Sequence, residues 1–189
     1  TVSRVVNGNA NVKEKTRQKV LDAIEELDYR PNAVARGLAS KRTTTVGVVL
    51  PTITSPYFAE IARGIDDIAS MYKYNVILAN SDGDEEKELK VIESLFSKQV
   101  DGIVYMGSFM TEKVCKQLKS TRTPIVLAGM IDVDKQMSSV NIDYHLAAHQ
   151  TTAELAKNNK RIAFVSGSLE EVENTERMVG YQEALNEAG

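Results

Sequence analysis

The spacing of apolar positions changes once along the chain, near residue 44. Before that point it is helical. Val2, Val5 and Val6 fall at i, i+3 and i+4, which predicts a short helix over 1–7, stopped by Gly8. Ser3, Arg4 and Asn7 lie off that apolar face. A second helix is predicted over 13–27, with Val20, Ile24 and Leu27 on its inner face and Leu21 beside them. Next comes Tyr-Arg-Pro-Asn-Ala-Val-Ala-Arg-Gly-Leu-Ala-Ser, residues 29–40. Pro31 presets its own φ and pushes Arg30 toward extended backbone, so a new element starts there. Residues 32–39 read as a short helix that Gly37 weakens by roughly 1 kcal/mol relative to Ala. A helix this short is marginal alone in water and suited to folding against a partner.

After residue 44 short apolar runs alternate with amphipathic stretches. Strands are predicted at 45–50, 76–79, 103–106, 125–128 and 162–165, with a short extended run at 140–142. Helices are predicted between them: one carrying Phe58, Ile61, Ala62, Ile65, Ile68 and Ala69, then 89–96, 114–118, 146–156 and 175–188. Strands with little internal alternation, separated by helices, imply an α/β fold with a parallel sheet covered on both faces. Crossovers should be right-handed, and ligands should bind beyond the strand C-termini.

Charge sharpens the division. Residues 1–43 hold nine Lys or Arg against five Asp or Glu, a net +4, while the remainder holds 14 against 21, a net −7. A basic segment on an acidic body fits a polyanion partner at one end. Lys13, Lys15, Arg17 and Lys19 crowd the start of the second helix, where cations oppose the helix dipole but can approach phosphate. The single cysteine, Cys115, excludes an intrachain disulfide and fits a reducing cytoplasm. No apolar run nears the ~20 residues of a membrane span. Thr1 falls inside a helical pattern and the end follows a helix directly, so the chain reads as a fragment with a truncated fold.

Enzymatic readings find little support. There is no Gly-x-Gly-x-x-Gly fingerprint and no Walker-type loop, which disfavours a nucleotide-dependent dehydrogenase or kinase. The chain has two histidines and no Gly-x-Ser-x-Gly, so no nucleophile–base–acid set can be assembled. His145 and His149 stand four apart, a spacing that can hold zinc. No hydrolase-type Glu follows either, and an exposed helix face is the simpler reading. The loop over 51–58, which follows the first strand, instead offers Tyr57 and Phe58 as aromatic faces, with core packing the competing role for Phe58.

Thr1 to Asn7, Tyr29-Arg30-Pro31-Asn32 and Val34-Ala35-Arg36 through Leu38-Ala39, at this mutual spacing, resemble the LacI/GalR family of bacterial transcription regulators. The resemblance covers the whole chain. It implies a partial helix-turn-helix headpiece over 1–30, a hinge helix and linker over 31–43, and a core like the periplasmic sugar-binding proteins. The core would comprise a first subdomain over 44–137 and the start of a second, incomplete, over 138–189. It places Thr1, Ser3, Arg4 and Asn7 on the major-groove helix and Tyr29 and Asn32 on phosphate contacts. Ala35, Arg36 and Leu38 fall on the hinge that enters the minor groove. In the core it assigns Tyr57, Phe58, Asp143 and Arg177 to effector binding, the last within Arg177-Met-Val-Gly-Tyr.

The stretches 36–48, 71–75 and 98–102 look most like the family's carbon catabolite regulators of Gram-positive bacteria. That implies a cytoplasmic homodimer on operator DNA, with serine-phosphorylated HPr as corepressor and a sugar phosphate as a further effector. No cofactor, metal, membrane partner or enzymatic activity is implied. The competing reading is a solute-capture module that binds a sugar and has no role on DNA. The headpiece and hinge motifs weigh against it.

Overall fold

The computed structural model describes residues 1–6, 11–29, 42–107, 110–130, 136–169 and 171–189. The chain divides into two compact units, Thr1–Thr43 and Thr44–Gly189. In the first, helix α1 (Val2–Val6) packs on α2 (Glu14–Glu26), and Val5 is the buried residue of α1. Val20 and Ile24 are half-buried, as their shared face requires. Leu27 departs from expectation: it stands just past the helix as its C-cap and is 75% exposed. The helix has already ended there, so its side chain no longer follows the inner face. Asp28 (φ 43°) turns the chain in the left-handed region, Asp28 N–H donates to Glu25 O (3.2 Å), and Tyr29 N–H donates to Ile24 O (2.9 Å). This is a Schellman stop built on Asp rather than Gly.

The second unit is a parallel five-stranded sheet in the order β2-β1-β3-β4-β5. Its strands are β1 (Thr45–Leu50), β2 (Asn75–Asn80), β3 (Gly102–Tyr105), β4 (Ile125–Ala128) and β5 (Ser138–Val140). Between and after them run α3 (Pro56–Met71), α4 (Glu85–Ser97), α5 (Glu112–Lys119), α6 (Tyr144–Ala156) and α7 (Val172–Ala188). Strand β1 is paired on both sides, with β2 and β3, and shows why the sheet is covered twice. Val49 joins Ile92, Leu95, Val114 and Leu118 beneath α4 and α5, while Val48 and Leu50 join Ala62 and Phe58 beneath α3. Successive side chains point to opposite faces, so a continuous apolar run feeds two cores. Gly47 is required by closeness: a Cβ there would stand 2.7 Å from Leu95 Cδ1.

Helix starts follow local chemistry. Asp84, Thr111 and Asp143 precede α4, α5 and α6, and their side-chain oxygens accept from Lys87 N, Val114 N and Leu146 N. Pro56 sits at the first turn of α3, where no amide donor is needed.

Two expectations need correction. The extended run near 140–142 pairs instead at Ser138–Val140, because the polar serines on an exposed edge strand carry no apolar signal. Residues 162–165 join no ladder among the described residues. The alternation itself is present. Ile162 and Phe164 are half-buried, with Ile162 O accepting from Tyr181 Oη (2.8 Å) and Phe164 stacked on Tyr181 at 5.1 Å. Val165 on the opposite side is 93% exposed. A strand pattern yields a strand only where a neighbour supplies the hydrogen bonds.

Candidate nucleic-acid helix and effector site

In the first unit, burial of Val5 fixes the orientation of α1 and leaves Thr1, Ser3 and Arg4 on its exposed side. These are hydroxyl and guanidinium groups, the types that read base edges and phosphates. Tyr29 is exposed just past the α2 stop. On α2 and its lead-in, Lys13, Lys15 and Lys19 are exposed, while Arg17 is half-buried near Glu14 (3.8 Å). Asn7, Asn32, Ala35, Arg36 and Leu38 lie outside the described residues.

In the second unit the sheet order reverses between β1 and β3, since β1 connects outward to β2 on one side and the chain then crosses to β3 on the other. Such a switch point opens a crevice at the strand C-termini. Tyr57 reaches it from the first turn of α3, with its ring edge-on to Phe58 (5.2 Å, 72°). The two aromatic residues divide their roles: Tyr57 is exposed, whereas Phe58 packs under α3 with Val48 and Leu50.

Tyr144, at the start of α6, ties the site together. Its side chain is 7% exposed and its hydroxyl donates to Gly129 O (3.2 Å) at the end of β4. Gly129 has φ 73°, and a Cβ there would sit 3.1 Å from the Tyr57 hydroxyl. On the other side, the Arg177 guanidinium lies over the Tyr144 ring, 4.3 Å from its centroid. Arg177 Nη1 donates to Asn174 Oδ1 (2.8 Å). Asn174 is itself held by bonds from Nδ2 to Ser168 O (2.9 Å) and Glu171 Oε2 (2.7 Å). Burial, together with the Tyr57 hydroxyl beside it, pushes the Tyr144 phenol up to about 12, against an opposing pull from Arg177. The phenol is therefore a neutral hydrogen-bonding group at physiological pH. Aromatic faces beside an oriented guanidinium suit a hydroxylated or anionic ligand.

Of the four effector residues named from sequence, Tyr57 and Arg177 converge here through Tyr144. Phe58 stands behind Tyr57 in the core. Asp143 is exposed, and its Oδ1 caps α6 by accepting from Leu146 N (2.8 Å). Tyr144 and Asn174 escaped the sequence reading. The signal for Asn174 was its i, i+3 spacing from Arg177 on one helix face. Tyr144 had none beyond its place next to the Asp143 cap.

His145 and His149 have a separate explanation. Helices α6 and α7 run side by side, and the histidine Nε2 atoms pair with Glu183 Oε2 (2.7 Å) and Glu187 Oε2 (3.0 Å). Among the described residues no group of three or more His, Cys, Asp or Glu side chains is placed to hold a metal ion.

Residues 43–189 match the family described as periplasmic binding proteins and sugar binding domain of the LacI family. Residues 1–32 match the bacterial regulatory proteins of the lacI family. The chain belongs to the LacI family. Within it, the chain is 58% identical over 190 residues to catabolite control protein A of Streptococcus mutans, covering 100% of this chain and 57% of that protein. The crystal structure of the transcription regulator CcpA of Lactococcus lactis is 70% identical, covers 78% of this chain and 55% of that one, and superposes with a TM-score of 0.72. A lac repressor dimer bound to operator is 24% identical and shares the fold over 98% of this chain and 57% of its own, with a TM-score of 0.85. The chain thus spans a little over half the length of the curated relatives it matches.

Proposed function

We propose that the protein is a sequence-specific DNA-binding regulator of carbon catabolite control. It acts as a homodimer on operator DNA in the cytoplasm, is switched by a corepressor at the core, and catalyses no reaction. The observation that carries this reading is the joining, in one chain, of a lacI-type regulatory segment over 1–32 to a LacI-type sugar-binding domain over 43–189. The exposed Ser3 and Arg4 on α1 and the +4 balance of residues 1–43 support the DNA-facing part. A solute-capture module has no use for either. Among the described residues no helix is long and apolar enough to cross a membrane. For the dimer, Ile68, Met71 and Tyr72 on and just after α3 form an exposed apolar strip of the kind that marks a protein contact.

In this reading Thr1, Ser3, Arg4 and Asn7 read the major groove. Tyr29 and Asn32 hold phosphates, and Ala35, Arg36 and Leu38 work in the minor groove. Tyr57, Arg177 and Tyr144 line the effector site, with Phe58 backing Tyr57 and Asp143 at the rim. A sugar phosphate fits the aromatic-plus-guanidinium chemistry. Similarity to catabolite control protein A supports serine-phosphorylated HPr as the protein corepressor.

The test is an anisotropy titration of the full-length protein on operator and on random duplex, with and without serine-phosphorylated HPr. The expected result is an operator preference that the corepressor increases. Arg4→Ala should weaken operator binding by roughly 1–3 kcal/mol and random-duplex binding much less. Sugar binding with no operator preference would favour solute capture instead.

A further inference from the structure

Asn174 stands on the first turn of α7 and is 9% exposed. A buried amide costs stability unless its donors and acceptor find partners. Here they do. Nδ2 donates to Ser168 O (2.9 Å) and to Glu171 Oε2 (2.7 Å), and Oδ1 accepts from Arg177 Nη1 (2.8 Å). The amide has one workable orientation. Flipped, its oxygen would face a carbonyl and a carboxylate, and its nitrogen would face a guanidinium. A Cβ at Gly167 would stand 3.2 Å from Nδ2, so the backbone leading to α7 passes close beside this side chain.

The next residue isolates the bond to Arg177. Thr175 Oγ1 donates to Leu169 O (2.9 Å), so it too fastens the lead-in to α7. That bond does not involve Arg177. Asn174 and Thr175 share the task of securing the lead-in, and Asn174 adds the bond to the guanidinium. Arg177 is half-buried, with its guanidinium over the Tyr144 ring. A contact with a ring face sets the distance of a cation and leaves its rotation open. The bond from Nη1 to Asn174 closes that freedom, and the other N–H groups of Arg177 then take set directions. A free arginine loses rotamer entropy when a ligand immobilises it, whereas one already held does not.

We infer that Asn174 is a positioning residue of the effector site. It orients the Arg177 guanidinium before the ligand arrives, and so raises affinity for a hydroxylated or anionic ligand without touching it. Glu171 acts from behind: its carboxylate holds the Nδ2 edge of the amide, which turns the Oδ1 edge toward Arg177. The inference rests on the effector-site reading above.

Isothermal titration of the full-length protein with glucose 6-phosphate, fructose 6-phosphate and the two free sugars tests it, beside the thermal midpoint of each variant. Arg177→Ala should weaken the tightest of these ligands about thirtyfold, and Asn174→Ala should weaken it about tenfold. Thr175→Val loosens the lead-in without reaching Arg177, so its affinity should stay within about twofold of the parent. The deciding protein combines Asn174→Asp with Glu171→Gln. The new carboxylate keeps an acceptor for Arg177 and can accept from the new amide, while the bond to Ser168 O is lost. Its affinity should stay within about threefold of the parent although its thermal midpoint falls. Parent-like affinity in Asn174→Ala would overturn the inference. So would a loss in Thr175→Val or in the double variant as large as that of Asn174→Ala, because the lead-in rather than Arg177 would then carry the effect. If Asn174→Ala does not fold, a double variant as weak as Arg177→Ala overturns the inference in its place. A parent protein that binds none of these sugars, or an Arg177→Ala protein that binds like the parent, would overturn the effector-site reading itself, and this inference with it.

Discussion

In the second unit Val48, Val49 and Leu50 of β1 are sealed from solvent, as are Ile92, Leu95 and Val114 in the cluster that Val49 joins. In the first unit, Val5 is the one buried residue among those described, and α2 has none. One unit buries an extended apolar core, while the other leaves most of its described side chains exposed. Burial supplies stability, and exposure supplies contact surface. The contrast teaches where each kind of mutation should act: stability changes belong to the sheet, and recognition changes belong to α1, α2 and the stretch beyond.

Leu95→Ala should break the larger core most visibly. Leu95 is 1% exposed and belongs to the buried cluster that holds Val49 and Ile92, so truncation should cost about 2–5 kcal/mol in denaturant unfolding of the second unit. Val5→Ala removes less apolar surface from a smaller cluster and should cost roughly 1.5 kcal/mol. A larger loss at Val5 than at Leu95 would reverse the comparison.

A glycine pair sharpens it within the second unit. A Cβ at Gly180 would run into the His145 carbonyl on the neighbouring helix, a main-chain atom that cannot rotate away. Gly180→Ala should therefore lower the stability of the α6–α7 pair by about 1–3 kcal/mol. Gly64, in the interior of α3, has nothing within 4 Å of the same added atom. Gly64→Ala should raise stability by about 0.5–1 kcal/mol. Thermal unfolding of the two variants beside the parent checks both signs.

Alkaline pH probes the site without a mutation. Below pH 10 the Tyr144 phenol is neutral in both the folded and the unfolded chain. From its ordinary 10.0 up to about 12 the unfolded chain gives up the proton while the folded one retains it. Stability present below pH 10 is thus lost as pH climbs through that window. Tyr105, buried beside Glu88, is pushed up further still and adds to the loss. Tyr144→Phe should flatten part of the fall in urea midpoint between pH 10 and pH 12. An unchanged slope would remove Tyr144 from the buried part of the site.

Helix and strand positions in the sheet were legible because each rests on local signals: apolar runs such as 45–50 and the periodic apolar positions of α3, while the starts of α4 and α5 at the Asp84 and Thr111 caps were missed. What was not legible depends on distant partners. Residues 162–165 form an apolar run like those of the paired strands, yet pairing requires a neighbour that no local pattern names. Ser138–Val140 pairs despite lacking that pattern, because β4 supplies the hydrogen bonds. In the candidate site, Tyr57 and Arg177 were named through motifs. Tyr144, which stands between them, was not, since its contacts with Gly129 and Arg177 arise only when β4, α6 and α7 are assembled. For the aromatic pair 57–58 the sequence left core packing as the competing role for Phe58, and burial settles it in favour of that role: Tyr57 is exposed and Phe58 faces the core.

Amide hydrogen exchange of the full-length protein, with and without operator duplex, tests the central contrast most directly. Amides of β1, paired on both sides with β2 and β3, should be strongly protected in both conditions. Amides of α1 and α2 should exchange faster than the sheet without DNA and gain protection when operator is added. Equal protection of α1 and α2 with and without operator, at the level of β1, would contradict the account.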